Sequence, residues 1–262
     1  MTDWLDVCRA AAGDVRDVLA EMPTRLEREP VMRKGEGGDD TTAIDEAAER
    51  VVLDRFRPLG VSIISEEVGR VEGDSTLVVV DPIDGSLNAK RGIPFFSVSI
   101  AVADGETMDD VHFAYVYDFG SGEEWTASRG EGAWLDGEPL GTVRPKERIE
   151  ILSFEATLTS LVAEHAAAFS GIAHRLRVMG SLALSLCHLA AGRVDGVCSL
   201  KEARSVDIAA GQLLCREVGL PVVLFDDPRP FGVAELDLER RSRIAAAGTP
   251  NLCRQIVDAL SA

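Results

Sequence analysis

The sequence is short of positive charge, and of lysine above all. Only four of its 27 basic residues are lysines, and 44 acidic residues bring the formal net charge to −17. Nucleic acids and anionic membranes are bound through basic patches, so we expect neither as a partner. An acidic, lysine-poor composition is typical of proteins from salt-loving organisms, although a GC-rich genome would also favour arginine over lysine.

Paired cysteines and long apolar runs are also lacking. Cys8, Cys187, Cys198, Cys215 and Cys253 are widely spaced, with no C-x-x-C pair. This spacing predicts buried free thiols in a reducing compartment. No apolar run reaches the ~18 residues that span a bilayer, and no basic segment precedes an apolar one as in a secretory signal. An apolar fraction of 46% predicts a globular protein. Because neither a secretory signal nor a membrane-spanning run is evident, we expect this protein in the cytoplasm.

The order of apolar segments predicts an α/β protein in two halves. Residues 1–142 would form an α+β half, with helices at about 3–22 and 44–56 and a polar, glycine-rich loop at 33–42 between them. Residues 143–262 alternate strands and helices, as in an α/β half that completes the site. The chain contains no internal repeat and no low-complexity linker.

Acidic residues recur where apolar runs end. These residues are Asp45, Glu66, Glu67, Asp81, Asp84 and Asp207. In VVVDPIDGSLN, which begins at residue 78, Pro82 has a fixed φ and no N–H, so it stiffens the turn between Asp81 and Asp84. Both carboxylates can then point to one side, with the Ile83 carbonyl as a third oxygen ligand. An all-oxygen site of this kind suits Mg²⁺.

Gly85 and Ser86 follow these aspartates directly. Glycine lets the backbone approach a ligand closely, and a helix that begins here would direct N–H groups at an anion. Carboxylates for a metal beside amides for an anion suit a phosphate ester held against bound metal. An ordinary turn with a helix cap would also account for Gly85 and Ser86, but it leaves Asp-Pro-Ile-Asp unexplained.

These segments resemble the motifs of the inositol monophosphatase superfamily, which includes fructose-1,6-bisphosphatases. DPIDGSLN is similar to D-P-[IL]-D-G-[ST]-x-N, and ISEEVG to the upstream G-E-E segment. SVDIAAGQLLCREVG resembles W-D-x-A-A-G, with Val206 in place of tryptophan. GEEWTASRGEGAWLDGEPL resembles the stretch ending in G-A-x-x-N-G, with Asp136 for asparagine, and RVMGSLALSLCHLAAGRVDG resembles the Gly-Ser helix. The segments come in family order over about residues 30–220, and they look most like the archaeal branch.

The resemblance implies a layered α/β/α/β/α sugar-phosphatase fold and a role for each matching residue. Two or three Mg²⁺ ions, or Mn²⁺ in their place, would be held by Glu66, Asp81, the carbonyl of Ile83, Asp84 and Asp207. Catalytic roles in orienting and activating water would fall to Asp45, Glu66, Ser86 and Thr41, the last in support of Asp45. Substrate contacts would come from Asp84, Gly85, Ser86, Gly180 and Ser181. Independently of the resemblance, the charge of Arg204 suits a second phosphate or a sugar hydroxyl, and Arg177, Lys201 and Arg175 are further candidates for a remote phosphate.

The implied activity is Mg²⁺-dependent hydrolysis of a phosphate monoester by activated water. Archaeal members of the family are often bifunctional, so fructose-1,6-bisphosphate and inositol-1-phosphate are the first expected substrates. A phosphatase for 3′-phosphoadenosine-5′-phosphate or histidinol phosphate would carry the same motifs. A catalytically silent regulator that binds metal or phosphate is the alternative outside enzymes. The family commonly forms dimers, so we expect a homodimer whose partner molecule is a small phosphate ester.

Overall fold

The computed structural model describes residues 2–141, 144, 146–155, 158–227 and 229–261. The helices there are α1 (Trp4–Glu21), α2 (Arg25–Arg28), α3 (Ala43–Phe56), α4 (Ser86–Arg91), α5 (Thr159–His165), α6 (Leu182–Ala190), α7 (Ser205–Glu217) and α8 (Pro250–Ser261). The strands are β1 (Val31–Lys34), β2 (Asp40–Thr42), β3 (Ser62–Ser65), β4 (Gly69–Val71), β5 (Leu77–Asp84), β6 (Ser97–Ala103), β7 (Val111–Asp118), β8 (Glu124–Ser128), β9 (Gly132–Leu135), β10 (Glu138–Pro139), β11 (Ile149–Glu155), β12 (Ala173–Arg177), β13 (Gly196–Ser199), β14 (Val222–Leu224) and β15 (Ile244–Ala247).

Two sheets organise the chain. The larger has the strand order β10-β9-β8-β7-β6-β5-β3-β4, and of its neighbouring pairs only β3 and β5 run parallel. The smaller has the order β12-β11-β13-β15-β14, with β11 parallel to both β12 and β13. Its β15 runs antiparallel to β13 and β14.

Strand β5 shows why helices cover both faces of the larger sheet. Successive side chains of a strand point to opposite faces. Val78 and Val80 pack into the apolar cluster formed with α1 and α3, whereas Leu77 and Val79 pack into the cluster formed with α6 and α7. All four side chains are buried. A strand buried on both faces reads as a continuous apolar run, as this segment does.

The smaller sheet is also covered on both faces. Val197 of β13 joins the cluster that contains α6 and α7, while its neighbour Cys198 joins the cluster that contains α8. Helices α6 and α7 therefore lie between the two sheets, with α1 and α3 outside the larger sheet and α8 outside the smaller. The layers follow the order α/β/α/β/α, which confirms the fold expected from the sequence.

The segment at residues 33–42 differs from the loop expected there. It contains most of a hairpin in which β1 and β2 run antiparallel, with Lys34 opposite Asp40. Every residue of β1 is exposed, so no alternation of apolar and polar side chains marks it in the sequence. The predicted boundary between residues 142 and 143 lies outside the described residues, and the larger sheet ends before it while the smaller begins after it.

Two expectations about composition can be checked directly. All five cysteines are buried and free, which confirms that they are core residues. Among the described residues, no helix combines the length and the apolar character that a crossing of the bilayer requires.

Candidate metal centre and active site

A cleft of about 320 Å³ opens where the ends of several strands and helices meet. Its lining is dominated by carboxylates. The acidic lining residues are Asp39, Asp40, Asp45, Glu66, Glu67, Asp81, Asp84, Glu155, Glu202 and Asp207. Glu66 directly follows β3. Asp81 and Asp84 lie at the C-terminal end of β5, and Asp207 lies in the first turn of α7. Parallel β3 and β5 bring the first three of these together.

Three of the predicted metal ligands form a compact group. One carboxylate oxygen each from Glu66, Asp81 and Asp207 lie within 4.8 Å of one another. The Asp-Pro-Ile-Asp turn sets this arrangement, because Oδ1 of Asp81 accepts a hydrogen bond from the Ile83 N–H at 3.0 Å. The Ile83 carbonyl, predicted as a further ligand, accepts a hydrogen bond from Ser86 Oγ at 3.0 Å.

Asp84 is held from the opposite side by helix α6. Its Oδ2 accepts hydrogen bonds from the Ser181 hydroxyl and, at 2.8 Å, from the Ala183 N–H. Ser181 also caps α6, since its Oγ accepts the Leu184 N–H at 3.3 Å. Ser181, a predicted substrate contact, thus also holds a predicted metal ligand in place.

Close approach between the two halves of the chain explains the glycine at position 85. Gly85 has φ of +90°, and a Cβ there would lie 3.1 Å from the carbonyl oxygens of Gly180 and Phe95. Next to it, Asn88 donates to the carbonyls of Phe95 at 2.8 Å and Met179 at 2.7 Å. These contacts join α4 to the chain that enters α6.

Glu155 is a member of the site that the sequence analysis missed. Its carboxylate lines the cleft and accepts hydrogen bonds from the Gly180 N–H at 2.8 Å, Ser185 Oγ at 2.7 Å and Ser153 Oγ at 2.9 Å. Glu155 thereby holds the turn at Gly180, and with it the adjacent Ser181 that binds Asp84. The available signal was its position, a carboxylate at the end of a strand like those already singled out.

Asp45 closes another side of the cleft. Its Oδ2 accepts hydrogen bonds from the Thr42 N–H at 3.0 Å and from Thr42 Oγ1 at 2.5 Å. Its Oδ1 is buried and has no hydrogen-bond partner among the described residues. The expectation that Thr41 supports Asp45 was wrong by one residue, because the Thr41 hydroxyl donates to Glu67 instead.

Arg204 lies inside the carboxylate cluster. Its Nη1 is 2.6 Å from Glu66 Oε1, and its Nη2 donates to Asp207 Oδ1 at 2.9 Å. Both side chains of the first pair are largely buried, with exposures of 9% and 12%. The chain passes very close here, because a Cβ on Gly37 would lie 2.6 Å from Arg204 Nη1. Arg204 was expected to contact substrate, and in this structure it neutralises two predicted metal ligands.

The remaining basic residues divide between the cleft and the surface. Lys90 and Lys201 line the cleft. Lys201 is 3.2 Å from Asp39, and Lys90 is 4.0 Å from Asp45. Arg177 lies exposed at the end of β12 and is not part of the lining, so the structure does not bring it to the site.

Burial and mutual repulsion raise the pKa values of the clustered acids. Burial raises the pKa of Glu66 to about 8, against the opposing influence of Arg204. Burial likewise raises the pKa of Asp84 to about 7, although the Ser181 hydroxyl favours its charged form. The pKa of Asp81 is raised well above its usual range, by burial first and by Glu66 next. Carboxylates in such a site are costly to ionise without added positive charge.

The residues present fit a centre for divalent cations. The donors are carboxylate and carbonyl oxygens, the ligands that Mg²⁺ and Mn²⁺ prefer. Three of the carboxylates have oxygens close enough to share an ion, and Oδ1 of Asp45 is a buried acceptor that no described residue satisfies.

Comparisons with known proteins agree with this geometry. The model of the inositol monophosphatase family matches residues 4–261. The fructose-1,6-bisphosphatase/inositol-1-monophosphatase of Archaeoglobus fulgidus is 33% identical over 94% of this chain and 93% of its own. The Nus factor SuhB of Escherichia coli is 32% identical over 99% of each chain. A crystal structure of an inositol monophosphatase–fructose 1,6 bisphosphatase has a TM-score of 0.86 at 26% identity and covers 98% of this chain and 100% of that one.

Fold and cleft together define a phosphatase of the metal-dependent hydrolase class. Within that class, the chain belongs to the inositol monophosphatase family, as the match over residues 4–261 shows.

The raised pKa values predict how the metal-free protein responds to pH. The folded state binds more protons than the unfolded chain between the ordinary carboxyl pKa values, near 4, and the raised values of about 7 for Asp84 and about 8 for Glu66. The free energy of unfolding in EDTA should therefore fall as pH rises from 5 to 8. Urea denaturation at several pH values measures this, and Asp84→Asn should flatten the slope. A free energy of unfolding that rises over this range would contradict the assignment.

Arg204 should matter most to stability when no divalent cation is present. Arg204→Gln leaves Glu66 and Asp207 buried without a counter-charge, so in EDTA the protein should lose about 3–5 kcal/mol of unfolding free energy. Saturating Mg²⁺ should shrink the difference, because the cation then supplies the charge. Arg91→Gln is the matched control, since it removes an exposed pair with Glu29 and should cost at most about 1 kcal/mol. Equal losses for both variants, or no effect of Mg²⁺, would refute this role.

Proposed function

We propose that this chain is a Mg²⁺-dependent phosphatase that hydrolyses a sugar or polyol phosphate. The observation that carries the proposal is the group of buried carboxylates from Glu66, Asp81 and Asp207, beside Asp84, in one cleft with Gly85 and Ser86. Buried like charges are retained only where a counter-charge offsets their cost. Arg204 supplies one positive charge, and divalent cations would supply the rest.

The resemblance to the family assigns roles to the protein groups. Glu66, Asp81, Asp84, Asp207 and the Ile83 carbonyl would hold two ions, with a third, weaker ion near Glu66. When bound, such ions supply a low-pKa water and stabilise negative charge on phosphate oxygens. The chain itself fixes where these charges can lie, because α6 holds Asp84 and the Asp-Pro-Ile-Asp turn holds Asp81.

Asp45 would orient the attacking water. Its Oδ2 is fixed by Thr42, so its orientation does not change when Oδ1 accepts a hydrogen bond from a water in the cleft. Ser86 Oγ, which donates to the Ile83 carbonyl, lies next to Gly85 and would help position the phosphate ester. In-line attack at phosphorus then needs no nucleophilic side chain and no phosphoenzyme.

Fructose-1,6-bisphosphate and inositol-1-phosphate are the proposed substrates. Support comes from the names of relatives such as the bifunctional enzyme of Thermococcus kodakarensis, which is 36% identical over 85% of this chain and 84% of its own. Turnover of the bisphosphate would give the enzyme a place in gluconeogenesis. The alternatives are phosphatases for 3′-phosphoadenosine-5′-phosphate or histidinol phosphate, and a silent metal-binding regulator. The net charge of −17 disfavours nucleic acid as a partner.

Asp84→Asn is the sharpest test of the proposed chemistry. The amide keeps an oxygen for the Ser181 and Ala183 hydrogen bonds but loses the negative charge, so Mg²⁺-dependent phosphate release should fall at least about 10²-fold. The melting temperature in EDTA should not fall, because one source of repulsion is removed. Release is measured from both proposed substrates, with Mg²⁺ and with EDTA, and Asp54→Asn at an exposed position of α3 is the control.

Three outcomes would separate the alternatives. Near-normal turnover by Asp84→Asn would refute the metal assignment. Turnover of neither substrate by the unsubstituted protein would move the proposal to the other phosphate esters, and turnover of none of them would favour the silent regulator.

We also propose a cytoplasmic homodimer adapted to high salt. Free buried thiols fit a reducing compartment. Ile93 and Leu87, which are 49% and 58% exposed, offer apolar surface for a second subunit. Phe96, which lies three residues after Ile93 in the segment RGIPFF, is buried and does not contribute to this surface.

Salt should stabilise this protein if its acidic surface is an adaptation. A net charge of −17 destabilises the compact state through self-repulsion, and molar KCl screens that repulsion. The melting temperature should therefore rise between 0.1 M and molar KCl. An unchanged melting temperature would count against the salt adaptation.

The proposed dimer is tested by sedimentation at both KCl concentrations, which should give the mass of a dimer. A monomer mass would refute the dimer.

A further inference from the structure

The positive charges that line the cleft are few, and most are already engaged. Among the described residues they belong to Lys90, Lys201 and Arg204. Arg204 pairs with Glu66 and Asp207, as above, and Lys201 lies 3.2 Å from Asp39. Lys90 makes no hydrogen bond to any described residue, and its only carboxylate within 4.0 Å is that of Asp45, at that distance.

The position of Lys90 on α4 directs it toward the phosphate side of the cleft. It lies four residues after Ser86, and residues so spaced share a helix face. Its side chain is only 17% exposed. Because the side chain lines the cleft and its ammonium group donates to no described residue, that group is free to bind a ligand there.

Asp45 presents the matching half of this arrangement. Its Oδ2 already accepts two hydrogen bonds from Thr42, and its buried Oδ1 has none from the described residues. If Lys90 served only to neutralise Asp45, the two would be in direct contact, as Lys34 and Asp40 are at 2.6 Å. The 4.0 Å separates Lys90 Nζ from Oδ2, the oxygen that Thr42 already holds, so the ammonium group and Oδ1, which no described residue satisfies, each remain able to bind a group in the cleft.

We propose that Lys90 is a further catalytic residue, whose ammonium group binds a non-bridging oxygen of the phosphoryl group while Asp45 holds the attacking water. This inference rests on the proposed phosphatase function. Negative charge on those oxygens is stabilised during phosphoryl transfer by fixed cations, and Lys90 supplies one beside Asp45. Lys90 keeps its proton throughout, so it takes no part in bond making or breaking.

Replacement of Lys90 tests the inference. Lys90→Met keeps the length and apolar stem but removes the charge, so kcat at saturating Mg²⁺ and substrate should fall about 10²-fold. Lys90→Arg should restore part of it. Lys146→Met is the matched control, because Lys146 is exposed and pairs with Asp195 away from the cleft, and it should leave kcat unchanged.

A chemical rescue separates catalysis from structure. In Lys90→Ala, propylammonium chloride replaces the missing atoms of the side chain and should raise kcat at least about tenfold, whereas tetramethylammonium chloride, which has no N–H, should not. Isothermal titration with inorganic phosphate gives an independent measurement, and its Kd should rise about tenfold in Lys90→Met. Both effects follow from loss of one charge-assisted hydrogen bond to phosphate.

Failure of the role proposed for Lys90 can be distinguished from failure of the proposed phosphatase function. If the unsubstituted protein releases no phosphate from any ester, the proposed function fails first, and an unchanged phosphate Kd in Lys90→Met then overturns the role of Lys90 as well. If the unsubstituted protein is active, a kcat for Lys90→Met equal to that of Lys146→Met overturns the inference. Loss of activity that propylammonium does not restore overturns it too.

Discussion

Repulsion among the buried carboxylates of Glu66, Asp81, Asp84 and Asp207 is the constraint on which the rest of the site depends. Burial raises the pKa values of Glu66, Asp81 and Asp84, so these three groups would be cheaper to ionise on the surface. The protein keeps them together with Arg204 and with donors from the backbone. The same unfavourable charge would favour bound divalent cations, because ions would relieve the repulsion that folding creates.

The layered fold makes this concentration of charge possible. Strands β3 and β5 run parallel and end at the same edge, which brings Glu66 to Asp81 and Asp84. Helices α6 and α7 lie between the two sheets and begin at this edge, so that α6 supplies the Ala183 N–H to Asp84 and α7 supplies Asp207. Glu155, at the end of β11, then holds the Gly180 turn in place. Both halves of the chain are therefore needed to build one cleft.

The basic side chains of the cleft differ in the groups that they suit. Arg204 is a planar donor that contacts two carboxylates at once, which suits a group that offsets a cluster of like charges. Lys90 is a compact charge on a flexible stem with three donors, which suits contact with a phosphoryl oxygen that changes position during the reaction. In a chain with so few lysines, two line this cleft and a third, Lys34, pairs with Asp40 at its edge.

The sequence by itself determined the fold class and most of the acidic site. The run ending in Asp-Pro-Ile-Asp carries its own turn, because Pro82 and the short reach from Asp81 to Ile83 are local properties of the chain. Apolar runs of strand length, alternating with helical segments, likewise indicated an α/β protein, whereas the order of the layers was implied by the family resemblance. Turns, secondary structure and the spacing of charged residues depend on residues that are close in sequence, so they can be predicted from the sequence.

Only the tertiary structure decided the partners of these groups. Arg204 binds Glu66 from 138 positions away along the chain, and Ser181 donates to Asp84. Thr42 replaces Thr41 beside Asp45, and Arg177 lies outside the cleft. The hairpin of β1 and β2 was hidden because exposed strands need no apolar alternation. Glu155 and Lys90 were missed for the same reason: a hydrogen bond or an unpaired charge depends on which distant atoms the packed layers bring within about 3 Å, and no local pattern records that distance.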